Sequence, residues 1–190
     1  TNSQFEELLA EYQASNEIDD LNVANEQNDM VEKLIHKFFH FDNSDMSGKI
    51  VAYLNLLFND IVRFIGKDFT PLNPLMKSEY MTNYCVTQKD EGLLSFNSGI
   101  DMSKSVAIAF ASRYAKEEFH EFDEYVKASI EDFLNLHNGL FNVNMSNEFS
   151  LELNLCPPEV HEEETLTNAT KIYVFPIIFP FGTIHFLMEI

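Results

Sequence analysis

The chain has 190 residues, 45% of them hydrophobic and 18 of them Phe, enough for one domain with a substantial core and an extension. Its 12 basic and 31 acidic residues leave a formal charge of −19, which repels phosphate backbones and anionic lipid surfaces and excludes nucleic acid as an expected partner. No apolar run reaches the roughly 18 residues of a membrane span, and the first residues lack a basic-plus-apolar signal pattern, so no membrane insertion and a cytoplasmic location are expected.

Thr1 in place of Met implies a processed chain or a piece of a longer one. Gln4 to Tyr12 reads as a short helix capped by Ser3, and the polar, acidic run from Asn16 to Asn28 reads as a loop. Met30, Val31, Leu34, Ile35, Phe38 and Phe39 recur at helical spacing within Asp29 to Phe41, and Asn43 to Gly48 is expected to break that helix. Residues 1–48 are thus expected to be an N-terminal helical extension or linker, and residues 49–190 the main domain.

Ile50, Leu54, Leu57, Phe58, Ile61 and Phe64 predict a long helix over Lys49 to Ile65, with Gly66 placed to end it and Pro71 and Pro74 marking the entry to a sheet. Strands are expected at Tyr80 to Gln88 and Gly92 to Ser98, joined at Lys89-Asp90-Glu91-Gly92. Helices follow at Ser103 to Phe119 and Asp123 to Phe141, then a strand at Phe149 to Leu155 and a hairpin of Lys171 to Ile178 with Thr183 to Ile190 around Pro180-Phe181-Gly182. Blocks of helices and antiparallel hairpins point to an α+β fold, an antiparallel sheet packed against long helices.

Chemistry concentrates in the second of those helices. Phe122, Val126, Ile130, Phe133, Leu134 and Phe141 form one apolar stripe, so the opposite face carries Ala128, Glu131, Asp132, Asn135 and Gly139. A carboxylate and a carboxamide three residues apart, flanked by two small residues, can be pressed against another protein's surface. His137 falls with the core stripe on the same helical wheel. His36 and His40 have one-face metal spacing with Asp42 nearby, but no third ligand is placed by the sequence. His161 with Glu162, Glu163 and Glu164 reads as a solvated loop, and Cys85 and Cys156 as buried free thiols. No nucleophile motif or phosphate-binding Gly-rich loop is present, and no metal site is assigned.

The Asp132-x-x-Asn135 spacing, followed by Gly139, resembles the E-x-x-N signature of the CheC, CheX and FliY phosphatases of bacterial chemotaxis, with Asp132 where that family has Glu. The likeness runs over roughly Ile50 to Ile190, is nearest to CheX, and includes Ser98-Gly99 and the Cys156-Pro157-Pro158-Glu159-Val160 exit. It implies a CheC-like fold, pairing of two copies through their sheets, and hydrolysis of the aspartyl phosphate on a CheY-like receiver domain. Asn135 would orient the attacking water and Asp132 would dock on the receiver's lysine, with Ala128, Glu131 and Gly139 on the partner-binding surface. The Mg²⁺ would belong to the receiver, so no cofactor of the chain's own is implied.

Leu54-Asn55-Leu56 echoes Leu134-Asn135-Leu136, and with Ala52 at the carboxylate position a repeat would leave one centre per chain, the CheX arrangement. Asp is one methylene shorter than Glu, and Ala128 stands where the family carries Asp or Ser. These departures leave a second reading open: a catalytically degenerate adaptor that binds a receiver or a flagellar-switch component. Glu131, four residues before Asn135, is an alternative carboxylate for the site.

Overall fold

The computed structural model describes residues 44–92, 95–150 and 152–189, and the chain divides into two compact units, Thr1–Arg63 and Phe64–Ile190. The elements expected at Gln4–Tyr12, Asn16–Asn28 and Asp29–Phe41, with His36, His40 and Asp42, lie outside the described residues. Helix α1 spans Ser44–Phe64, and Ile50, Leu54, Leu57 and Ile61 are buried along one stripe as their spacing predicts. Ser44 to Gly48, expected to break a helix, instead lie in its first turns. Ser and Asp favour helix starts for the same local hydrogen-bonding reason that they favour loops, so the sequence signal does not separate the two.

The second unit is built on an antiparallel sheet. Its strands are β1 (Thr70–Pro71), β2 (Leu75–Met81), β3 (Tyr84–Gly92), β4 (Phe96–Met102), β5 (Leu153–Leu155), β6 (Glu159–Glu162), β7 (Thr165–Phe179) and β8 (Gly182–Glu189), with helices α2 (Lys104–Ala115) and α3 (Glu124–Phe149) between β4 and β5. The order is β1-β7-β8-β4-β3-β5; β2 continues the β1 edge along β7, and β6 continues the β5 edge along β3. Each margin is therefore two short strands laid end to end.

α3 packs over β3, β4 and β5, and α2 packs against α3 and β8. The stripe residues Val126, Ile130, Phe133, Leu134 and Phe141 are buried, and His137 with them. Phe96 of β4 meets Phe141 edge-on at 5.5 Å, and Tyr84 of β3 meets Phe122 at 4.9 Å. Alternate residues on the other face of the sheet, Tyr80, Cys85, Ile172, Val174 and Leu187, form a second buried cluster.

Both helices start where a side chain caps them. Ser103 accepts from Val106 N, and Asp123 accepts from Tyr125 N and Val126 N at 3.1 Å each, satisfying amides that have no partner within the helix. α3 runs on to Phe149, where the sequence suggests that a strand has begun, and α2 stops at Ala115.

The strand expected over Tyr80–Gln88 is two strands. Asn83 N donates to Asp101 Oδ1 at 2.8 Å and Thr82 N to the Glu164 carbonyl at 2.9 Å, so tertiary partners take up the backbone there. Lys89–Gly92, expected to be a turn, are strand instead: Lys89 and Asp90 pair with Asn97 and Phe96 while Asp90–Gly92 pair with β5 on the other side. A side chain at Gly92 would meet the Glu152 carbonyl oxygen at 2.6 Å, so only glycine admits β5 at this distance. His161 and Glu162, read with Glu163 and Glu164 as a loop, belong instead to β6, an edge strand on β3. An edge strand needs only backbone pairing, and its side chains can stay charged.

Candidate functional site

Asp132 and Asn135 lie one turn apart on the exposed ridge of α3 that also carries Tyr125, Ala128, Gly139 and Val143. From Tyr125 to Val143 that ridge is about 27 Å long at ~1.5 Å per residue. Its ends are apolar and exposed, 73% at Tyr125 and 56% at Val143, and its middle carries the polar pair. Glu131 is half-buried at the side of the ridge. A side chain built at Gly139 would meet nothing within 4 Å, so packing within the described residues does not require glycine there. Glycine inside a helix costs about 1 kcal/mol relative to Ala.

Each member of the pair is held from a different element. Tyr114 of α2 donates its phenol to Asp132 Oδ2 at 2.6 Å. Tyr114 is itself placed by aromatic contacts, edge-on to Phe133 at 5.7 Å and stacked beside Phe110 at 6.5 Å. On the other side, Gln88 of β3 donates from Nε2 to Asn135 Oδ1 at 2.8 Å. Asp132 Oδ1 and Asn135 Nδ2 have no partner among the described residues and face outward.

Gln88 belongs to a buried polar network. Its Nε2 also donates to the Cys156 carbonyl at 2.9 Å, its Oε1 accepts from Asn138 Nδ2 at 3.0 Å, and Asn138 Nδ2 donates as well to Ser98 Oγ at 2.9 Å. Gln88, Ser98 and Asn138 are 1% exposed or less, so each bond is made away from water, where a missing partner costs about 1–3 kcal/mol. The reading from sequence found Asp132, Asn135, Ala128 and Gly139 on the ridge but missed Tyr114, Gln88, Asn138 and Ser98. Two signals were available: the strand period puts Gln88 on the same face as Tyr84 and Val86, and Asn138 is a carboxamide within the apolar stripe.

Lys104, Arg113, Lys116 and Lys127 do not form an open cationic patch. Arg113 grips Asp68 through both terminal nitrogens at 2.5 and 2.9 Å, which holds the Asp68 carboxyl below its usual range. Lys104 pairs with Glu162 at 3.2 Å and Lys127 with Glu124 at 3.0 Å, while Lys116 ends α2 in the left-handed region, exposed. His161 is not a solvated loop residue: its Nε2 lies 2.9 Å from Thr87 Oγ1 and its Nδ1 2.5 Å from Glu164 Oε1, tying β6 to β3. Cys85 is buried and Cys156 half-buried, both as free thiols, and burial pushes the Cys85 thiol well up, away from reactivity. No group of three or more His, Cys, Asp or Glu side chains among the described residues is arranged to hold a metal.

Below the network, Asp90 is fully buried and accepts from Asn142 Nδ2 at 2.7 Å, while Asp90 Oδ2 and Asn142 Oδ1 have no donor. Burial raises the Asp90 carboxyl above its ordinary value, and the Asn142 bond only partly offsets this. A raised carboxyl stabilises the fold in its neutral form, fully below the ordinary Asp range and progressively less as pH rises through the folded value. Asp90→Asn supplies a nitrogen donor among acceptors that lack one. It is expected to raise stability at pH 7 by about 1 kcal/mol or more. Urea denaturation at a series of pH values checks this: the advantage shrinks toward zero as pH falls into the ordinary Asp range, and an advantage independent of pH contradicts it.

No protein-family model and no curated protein matches the chain. Solved structures do. The chain is similar to a chemotaxis protein CheX from Desulfovibrio desulfuricans, at 14% identity over 75% of this chain and 98% of that one, with a TM-score of 0.63. A CheC-like superfamily protein from Shewanella sp. PV-4 aligns at 16% identity over 77% and 97%, TM-score 0.64. CheX in the CheX-CheY-BeF3-Mg²⁺ complex from Borrelia burgdorferi aligns at 18% identity over 74% and 96%, TM-score 0.62. The fold is therefore CheC-like, as the resemblance of the sequence implies. No helix among the described residues is long and apolar enough to cross a membrane.

Proposed function

We propose that this chain is a cytoplasmic chemotaxis-type phosphatase that hydrolyses the aspartyl phosphate of a CheY-like response regulator. Asn135 orients the water and Asp132 docks on the receiver's lysine. The observation that carries this reading is the pair itself: one carboxylate oxygen and one amide nitrogen face outward on an exposed helix ridge, each side chain fixed from behind by Tyr114 or Gln88. Positioning of this kind is most of what phosphoryl transfer asks of a protein, since the transition state is loose and the metal and charges come with the substrate. Mg²⁺ belongs to the receiver, and this chain brings no cofactor of its own. Ala128, Glu131 and Gly139 border the pair, and Gly139 leaves the ridge low enough for close approach. A complex of CheX with CheY among the similar structures supports a receiver as partner, and a homodimer is part of the same reading.

In the reaction, water oxygen bonds to phosphorus as the bond from phosphorus to the aspartyl oxygen breaks. The aspartate leaves as carboxylate, and both water hydrogens end on inorganic phosphate. Phosphate release from a phosphorylated CheY-like receiver tests this with the intact chain, Asn135→Ala and Asp132→Glu. The expected result is acceleration by the intact chain that Asn135→Ala returns to the receiver's own rate. The second reading, an adaptor without catalysis, draws on one observation: Tyr114 already holds the short Asp132 carboxylate toward its own chain. Receiver binding without acceleration favours it, and activity gained with Asp132→Glu assigns the cause to reach.

A further inference from the structure

One orientation of the Asn135 carboxamide satisfies its surroundings. A backbone carbonyl can only accept, so the Gln88 atom 2.9 Å from the Cys156 carbonyl must be Nε2. The same nitrogen lies 2.8 Å from Asn135, whose facing atom must then be Oδ1. Asn138 Nδ2, 3.0 Å from the other terminal atom of Gln88, requires that atom to be an acceptor and agrees. Both Gln88 Nε2 hydrogens are committed, and Gln88 is 1% exposed, with no room to turn without leaving buried groups unpaired. The outward atom of Asn135 is therefore Nδ2, which carries two donors and no acceptor.

We propose that Gln88 is a positioning residue that holds the Asn135 carboxamide with Nδ2 toward the partner, so that Asn135 engages the attacking water by donating to it. This rests on the phosphatase reading above. A water that receives a hydrogen bond on one lone pair keeps the other for phosphorus, and its hydrogens remain free to pass to a phosphoryl oxygen. In a loose transition state the water needs alignment more than early deprotonation, so a donor suffices. A carboxamide free to turn would present its oxygen part of the time, and that orientation positions the water by its hydrogens instead.

The test combines kinetics with NMR of side-chain amides. In the intact chain, the Asn135 Nδ2 hydrogens are expected to exchange with water quickly and the Gln88 Nε2 hydrogens slowly; equal protection of the two overturns the proposal without any variant. Gln88→Met keeps the length of the side chain and removes its donors. It is expected to loosen the Asn135 side chain, read as a lower order parameter, and to reduce kcat on phosphorylated receiver about 10- to 100-fold with KM essentially unchanged. A purely structural role would lower the melting temperature and leave both kcat and the Asn135 order parameter in place, which sinks the proposal. If the intact chain does not accelerate hydrolysis, the phosphatase reading fails separately. The order parameter of Asn135 in Gln88→Met then still decides whether Gln88 positions it.

Discussion

Replacing Phe133 by Ala is expected to lower the stability of the chain by about 3–5 kcal/mol. Phe133 is fully buried and meets Phe110 edge-on at 5.2 Å, Tyr114 at 5.7 Å and Phe186 of β8 at 6.5 Å. The substitution removes a ring that joins α2, α3 and the sheet at one point. It forfeits the transfer free energy of the ring, leaves a cavity that three other rings cannot all collapse into, and removes aromatic pair terms of about 0.5–1.5 kcal/mol each. Urea denaturation should give a lower midpoint with an unchanged slope. A loss below about 1 kcal/mol would mean that the ring is not packed as described. The site is affected as well, because Tyr114 leans on Phe133 and donates to Asp132. The hold of Tyr114 on Asp132 should therefore weaken in the same variant even where the fold persists.

The second large effect is at Gly182, which opens β8 after the hairpin turn. Its φ is 138°, a region that side-chain-bearing residues rarely enter, and a side chain there would sit 2.4 Å from Val106 Cγ2 in the first turns of α2. Gly182→Ala combines backbone strain of about 1–2 kcal/mol with overpacking of about 1–3 kcal/mol, so a loss of about 2–5 kcal/mol is expected. The two causes separate in a double-mutant cycle. Adding Val106→Ala relieves the contact but not the strain, so the pair should be less destabilised than the sum of the singles by about 1 kcal/mol or more. Strict additivity would place the whole cost in the backbone.

The sequence carried the elements whose signals are local. The helix start at Asp123, the stripe from Val126 to Phe141 and the exposed face with Asp132 and Asn135 all follow from side-chain chemistry within a few turns. Where the sequence misled, long-range partners had decided the outcome. Thr82 and Asn83 look like strand residues, yet Asp101 and Glu164 claim their amides. Lys89 to Gly92 look like a turn, yet β4 and β5 pair across them from both sides. His161 and the glutamates after it look like a loop, yet His161 and Glu162 lie in an edge strand, a position that asks nothing apolar of them. The same limit hid half of the site. Gln88 is 47 residues from Asn135 and 68 from Cys156 along the chain, and only the sheet brings the three together. The pattern could place Gln88 inside but could not say what it held.

The paired short strands at the two margins of the sheet also say where the prolines belong. Pro71 and Pro74 sit at the corner between β1 and β2, Pro157 and Pro158 at the corner between β5 and β6. Pro176 is the partner of His185 across β7 and β8, and its carbonyl accepts from Leu72 N at the first of those corners, so its missing amide hydrogen falls at the gap between β1 and β2. Four of the six prolines thus break the margins at their corners, and Pro176 faces the gap in one of them. A stray strand from an unfolding neighbour finds no long, straight template to copy. A core rich in Phe, Ile and Val is in this way guarded at its margins against edge-to-edge polymerisation.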